Sequence, residues 1–314
     1  MRSVFQWIKS FVYVHLYLNF WVPIKYRCDA CKRNKIEIMN PYRTLETIAK
    51  NKVSLSRYGD GEIHMVAHFF NEKKTVAETS FQNYDEQLAK RLHQILYQGS
   101  SRRHMVGIPY SFLEYDEYSV GTDNYWKRVW VEDCSKMFDR IFNSKSMYCD
   151  STFTRFYIDR NENYRKEVLP NIIQMLKRLW DDQDVCIIEG ALTRLGVGND
   201  LFDNCKSIRR IIAPSTNAFT KMEEILQEAV KQDKSVLFLI ALGHTATILA
   251  YDLAMLGYWA IDIGHVDVEY EWYLMGVQEK TPLTTKYVNE VPDGKNPLGV
   301  VDSTYDGQII SRIN

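Results

Sequence analysis

Neither sign of charge dominates this chain. Lys and Arg total 39 against 40 Asp and Glu, a formal net charge of -1. That balance leaves out the broad basic field of proteins that coat nucleic acid, so no nucleic-acid partner is expected. The pairs Arg102 and Arg103, and Arg209 and Arg210, read as solvated faces. Cysteine is scarce too, with six in 314 residues: Cys28, Cys31, Cys134, Cys149, Cys186 and Cys205. Several lie in apolar stretches, which points to free thiols in a reducing, cytoplasmic compartment rather than a disulfide framework. Cys28 and Cys31 have zinc-knuckle spacing, but no second pair follows, which speaks against a zinc site.

Repeats, low-complexity tracts and Pro/Gly-rich linkers are absent. So is a long uninterrupted apolar run. Residues 1–24 are rich in aromatic and β-branched side chains, yet Lys9, His15 and Asn19 interrupt them and Pro23 ends them. A membrane span needs ~20 mostly apolar residues, and no small-residue cleavage site follows. The stretch reads as a helix that is buried or dimer-forming, or as one lying against a membrane surface.

What the chain does have is 46% hydrophobic and 25% charged residues, enough for a large core. Residues 1–40 read as an aromatic appendage and 41–314 as one α/β domain. Helices are expected over 42–50, 62–70, 84–97, 126–142 and 171–180, with short strands over 53–57 and 105–108. The second half alternates more clearly: strands over 185–188, 207–213, 236–242 and 259–263, and helices over 218–231 and 245–256. Strand and helix in this order predict a Rossmann-like, largely parallel sheet with flanking helices. The strands are continuous apolar runs, as when both faces are covered.

Ligands bind outside the carboxyl ends of such strands. Those ends here are Glu189 and Gly190, Pro214 and Ser215, Gly243 and His244, and the run Gly264, His265, Val266, Asp267. The segment Arg57-Tyr58-Gly59-Asp60-Gly61-Glu62 also follows a strand and precedes a helix. Asp60 and Glu62, two residues apart across a glycine, can turn to one point and suit a hard cation, Mn²⁺ or Mg²⁺. Arg57 could hold a phosphate bidentately. The same segment also reads as a turn with an acidic helix start. Beyond Arg194, the glycines of Gly196-Val197-Gly198-Asn199 allow close backbone approach to an anion, or simply make a turn. They do not form the dinucleotide fingerprint, which argues against a dehydrogenase or methyltransferase. Asp267, Glu269 and Glu271, flanked by Tyr270 and Trp272, supply carboxylates and aromatic faces suited to a sugar.

Together these segments resemble the GT-D type glycosyltransferases, a bacterial group with a Rossmann-like fold. The matching runs are 57–62, 189–204 (EGALTRLGVGNDLFDN), 211–219 (IIAPSTNAF) and 241–276. The resemblance implies a D-x-E metal motif at Asp60 and Glu62, a UDP-sugar donor (UDP-glucose or a close relative) and a glycan acceptor on a protein or polysaccharide. It also implies a proline where this chain carries His244. The expected mechanism has Arg57, Gly59, Arg194, Gly196, Gly198, Asn199, Gly243, His244 and His265 around the donor. A carboxylate takes the acceptor proton if configuration inverts, with Glu269 first, then Glu271 or Asp267. The rival expectations are a metal-dependent hydrolase of nucleotide sugars or phosphate esters, and a non-enzymatic sugar-nucleotide-binding subunit.

Overall fold

The computed structural model describes residues 4–71, 82–113 and 116–314. Nine strands among them form one sheet: β1 (Glu37–Ile38), β2 (Ser54–Arg57), β3 (His104–Ile108), β4 (Met147–Asp150), β5 (Asp184–Gly190), β6 (Ser207–Ala213), β7 (Leu237–Ala241), β8 (Trp259–Asp262) and β9 (Ile309–Arg312). Every pairing is parallel, in the order β1-β4-β3-β2-β8-β7-β5-β6-β9. This is the Rossmann-like α/β architecture that the apolar runs predict.

Side-chain alternation explains why both faces are buried. On β7, Phe238 and Ile240 join one core, with Leu92, Val106, Trp130 and Leu249. Leu237 and Leu239 join the other, with Ile48, Leu55, Ile172 and Ile261. A strand so placed must be apolar at every position. The helix His244–Met255 is buried over most of its length and packs on β2 and β8. Its apolar residues consequently surround it rather than forming a stripe.

β2 and β8 are neighbours, meeting at Leu55 and Ile261. From β2 the chain runs outward to β3 and β4, while β5 to β8 occupy the other half of the sheet. The order therefore reverses at β2 and β8, opening a crevice beyond their carboxyl ends.

Several elements differ from expectation. Residues 126–142 are not one helix: Val120–Val129 leads into a π-helical stretch, Trp130–Cys134, then a 3-10 turn, Ser135–Met137, and a last turn, Phe138–Ile141. Strands β1, β4 and β9 are additional, and β1 ties residues 37–38 into the sheet. The aromatic amino terminus is helical from Val4 to Cys28. Residues 1–3 of that stretch lie outside the described residues. No residue of Val12–Trp21 is buried, so the buried reading of this segment does not hold. It docks lower down, through Val22 and Tyr26, whose hydroxyl donates to Phe112 O at 2.7 Å.

Candidate active site

A cavity of about 880 Å³ lies over the carboxyl ends of the central strands and the segment after β4. That volume suits a sizeable organic ligand. Arg57, the last residue of β2, spans its floor. Its Nε donates to Asp262 O at 3.1 Å and its Nη1 to Ser151 O at 2.9 Å, tying β2 to β8 and to the turn after β4. Asp262 Oδ1 lies 3.4 Å from Arg57 Nε. Burial pushes the Asp262 carboxyl up to about 6, against the pull of Arg57. Gly264 is obligatory here: its φ is +45°, and a Cβ would come within 1.7 Å of Arg57 Nη2.

Asp60 and Glu62 open the helix Asp60–Asn71 beside this floor. Glu62 Oε2 accepts the Gly59 amide at 2.8 Å, capping the helix start, and its Oε1 lies 3.7 Å from Nδ1 of the buried His244. Asp60 is exposed at the cavity wall, where the Tyr125 hydroxyl donates to its Oδ2. Two carboxylates at a cavity wall fit the way Mg²⁺ or Mn²⁺ is commonly held, with substrate phosphates and water completing the shell. Among the described residues, no cluster of three or more His, Cys, Asp or Glu side chains is disposed to hold an ion by itself.

Gly243, at the end of β7, and His265 and Asp267, beyond β8, also line the cavity, as do Gly59 and His244. Arg194, Gly196, Gly198, Asn199, Glu269 and Glu271 do not. The glycine loop faces inward instead. Gly196 N and Asn199 Nδ2 donate to Asp267 Oδ1 at 2.9 and 2.8 Å, and Asn199 Nδ2 also reaches Glu271 Oε1 at 2.7 Å. Lys286 joins Asp267 and Glu271, at 2.7 Å from each. The loop thus grips the helix Val266–Met275 rather than presenting amides to a phosphate. Arg194 donates to Leu298 O at 2.7 Å, holding the carboxyl-terminal segment.

Glu269 is fully buried, and its Oε2 accepts the amides of Tyr157 and Ile158 at 2.9 and 3.0 Å. Burial and the neighbouring Asp159 push its carboxyl up to about 7, against Arg155 and the two amides. These contacts make Glu269 the anchor of the 152–160 segment and turn it away from the cavity. Arg210, expected on a solvated face, is buried: it pairs with Glu189 at 2.7 Å and donates to Leu195 O at 2.9 Å. The shared carboxylate also accepts the Leu195 amide at 2.7 Å.

Four wall residues carry no signal in sequence. Tyr125 arrives on the helix Val120–Val129. Arg155 brings its guanidinium to Glu290 and, at 3.5 Å, to Glu269. Glu290, also paired with Lys280, lies 3.4 Å from Nε2 of His265, whose pKa burial lowers to about 4. Asp159 lines the cavity, and among the described residues its carboxylate has no hydrogen-bond partner; it lies within the electrostatic reach of Arg155. All four are brought in by irregular segments or a distant helix, where periodicity says nothing.

Known proteins resemble this chain in sequence and fold. The family model described as glycosyltransferase GT-D fold matches residues 55–291. The Streptococcus gordonii protein Gly, described as a probable glycosyl transferase, is 34% identical over 90% of this chain. Glycosyltransferase GlyD of Streptococcus pneumoniae serotype 4 is 35% identical over 88%. This chain spans 39% and 33% of those two proteins' lengths. A solved structure, described as showing that the highly conserved domain of unknown function 1792 has a distinct glycosyltransferase fold, superposes with a TM-score of 0.80. It is 35% identical and covers 91% of this chain and 99% of its own. A glycosyltransferase of the same domain type from Streptococcus sanguinis superposes with a TM-score of 0.78 at 34% identity, over 89% of this chain and 100% of its own.

Proposed function

The chain belongs to the GT-D glycosyltransferase fold family, and on that premise we propose that it moves a hexose, glucose or a close relative, from a UDP-sugar to a hydroxyl of a protein- or polysaccharide-borne glycan. The observation that carries this reading is the pairing of Asp60 and Glu62 with the cavity at the point where strand order reverses. A divalent cation bound with the donor diphosphate would neutralise the charge that builds on the departing UDP. Asp60 is the carboxylate exposed to such an ion, and Glu62 lies beside it with Oε2 held by the Gly59 amide. Arg57 adds positive potential on the same floor, although two of its donors serve the scaffold.

For an inverting transfer the acceptor hydroxyl needs a base at the cavity wall. Asp267 lines the wall but is saturated by Gly196, Asn199 and Lys286. Glu269 and Glu271 are engaged elsewhere. Asp159 fits the role better, because its carboxylate faces the cavity without a hydrogen-bond partner among the described residues. Cys28 and Cys31, exposed and free, suit the reducing cytoplasm.

The test is a nucleotide-sugar panel with Mn²⁺, with and without EDTA, following thermal shift and UDP release together. One UDP-sugar should raise Tm, and EDTA should abolish the effect. Asp60→Ala and Glu62→Ala should keep the fold and lose both responses. Full activity in both variants would sink the assignment of the two carboxylates. UDP released at the same rate with and without a glycan acceptor would instead mark a hydrolase.

A further inference from the structure

The amino-terminal helix lies outside the candidate site, and it exposes a run of large apolar side chains. Phe11, Val12, Tyr13 and Val14 are successive and all exposed. Leu16, Phe20 and Trp21 follow at 56%, 62% and 51% exposure. Successive apolar residues point around the whole circumference of a helix, so no rotation of it would hide them. One side of the helix is docked: Val22 and Tyr26 are buried, Tyr17 and Leu18 pack against the core, and Tyr17 donates to Glu132 Oε1 at 3.1 Å. A contiguous apolar surface of this kind on a soluble protein marks an interaction site.

Charge decides what covers it. Residues 1–28 contain no Asp or Glu; Lys25 is paired with Asp29 at 2.6 Å, which leaves Lys9 and Arg27 as the exposed basic residues of the helix. A second copy packed symmetrically on this helix would bring no carboxylate from its own residues 1–28 to answer Lys9 and Arg27. An anionic lipid surface neutralises them and takes up the apolar side chains at once. Trp21 and Tyr13, both exposed, are also residue types that favour the boundary between headgroups and acyl chains. Among the described residues no helix is long and apolar enough to cross a membrane. We propose that this helix docks the protein on the surface of an anionic bilayer, entering one leaflet without spanning it. The inference is independent of the donor chemistry and is read by binding rather than turnover.

The experiment is flotation of the full chain with phosphatidylcholine vesicles, with and without phosphatidylglycerol, alongside light scattering of the protein alone. The expected result is a bound fraction at least about tenfold higher on the anionic vesicles, falling with added salt. The Leu16→Glu/Phe20→Glu double variant, altered only at exposed side chains, should lose binding while its circular dichroism and Tm stay unchanged. Failure to float with either vesicle would overturn the proposal, as would equal flotation with both. A dimeric mass that becomes monomeric in the double variant would assign the helix to a second copy instead.

Discussion

Asp159 shows how a side chain acquires a role from its neighbours' engagements. The other carboxylates around it are committed: Glu269 to two amides, Asp267 to Lys286, Glu290 to Arg155 and Lys280. A base must have a lone pair pointed at the proton it takes, so an uncommitted carboxylate on the wall is the natural acceptor. Asp159→Asn keeps size and polarity while removing basicity. Turnover should fall by about 10²–10⁴-fold, with the UDP-sugar dissociation constant within about threefold of wild type. Isothermal titration and initial rates on the same preparation separate the two quantities. An unchanged kcat would remove Asp159 from the chemistry and favour a retaining reaction, which needs no such base. Nothing in sequence singles out Asp159, because it follows no strand directly. Asp60, Glu62, His265 and Asp267, which line the cavity, could be picked out in sequence because each sits three to five residues beyond a strand end. Glycine loop 196–199 misleads for a related reason: glycines signal close approach, and what approaches here is the carboxylate of Asp267.

Between elements, the buried polar contacts are stitches across the sheet, and one of them titrates. His104, the first residue of β3, is buried, with Nε2 2.7 Å from Ser56 Oγ on β2; that hydroxyl donates in turn to Thr247 O on the helix His244–Met255. Burial lowers the His104 pKa from 6.5 to about 3. The folded state therefore refuses a proton that the unfolded chain accepts. Stability should be unaffected by this group above pH 6.5 and should fall as pH drops from there toward about 3. At pH 5 the loss is on the order of 2 kcal/mol. Urea denaturation at pH 5 and 7 should show that loss in wild type and a smaller one in His104→Asn; equal pH dependence in both would rule out His104 as its source. The apolar cores of β5, β7 and β8 were readable because these strands are covered on both faces, whereas β6 is apolar and buried together only over Ile211 to Ala213, beyond Arg209 and Arg210. β9 alternates between half-buried and exposed residues at the sheet edge, and β1 is two residues long, so neither carries such a run. The break in residues 126–142 was equally silent, since Trp126, Trp130, Cys134 and Phe138 keep a helical spacing through the π and 3-10 turns.

For the whole molecule, the proposed cation site at Asp60 and Glu62 predicts linkage between metal and nucleotide. Asp60 and Glu62 come from one helix start, and among the described residues no third metal-binding side chain joins them in a cluster. Each is also partly engaged, Asp60 by the Tyr125 hydroxyl and Glu62 by the Gly59 amide. A cation held by these two alone keeps most of its water and binds weakly. Diphosphate oxygens in the cavity would complete its shell, and the ion in turn would neutralise the diphosphate. Each ligand should then raise the other's affinity by the same factor, because the coupling free energy is reciprocal. Titrating Mn²⁺ into the protein with and without saturating UDP, and UDP with and without Mn²⁺, should give two equal ratios of at least about tenfold. Uridine, which lacks the diphosphate, should show no coupling. Glu62→Gln should bring the ratio close to one while uridine binding persists. Tight Mn²⁺ binding without nucleotide would mean that the protein completes the site itself, and that the two carboxylates are only part of it.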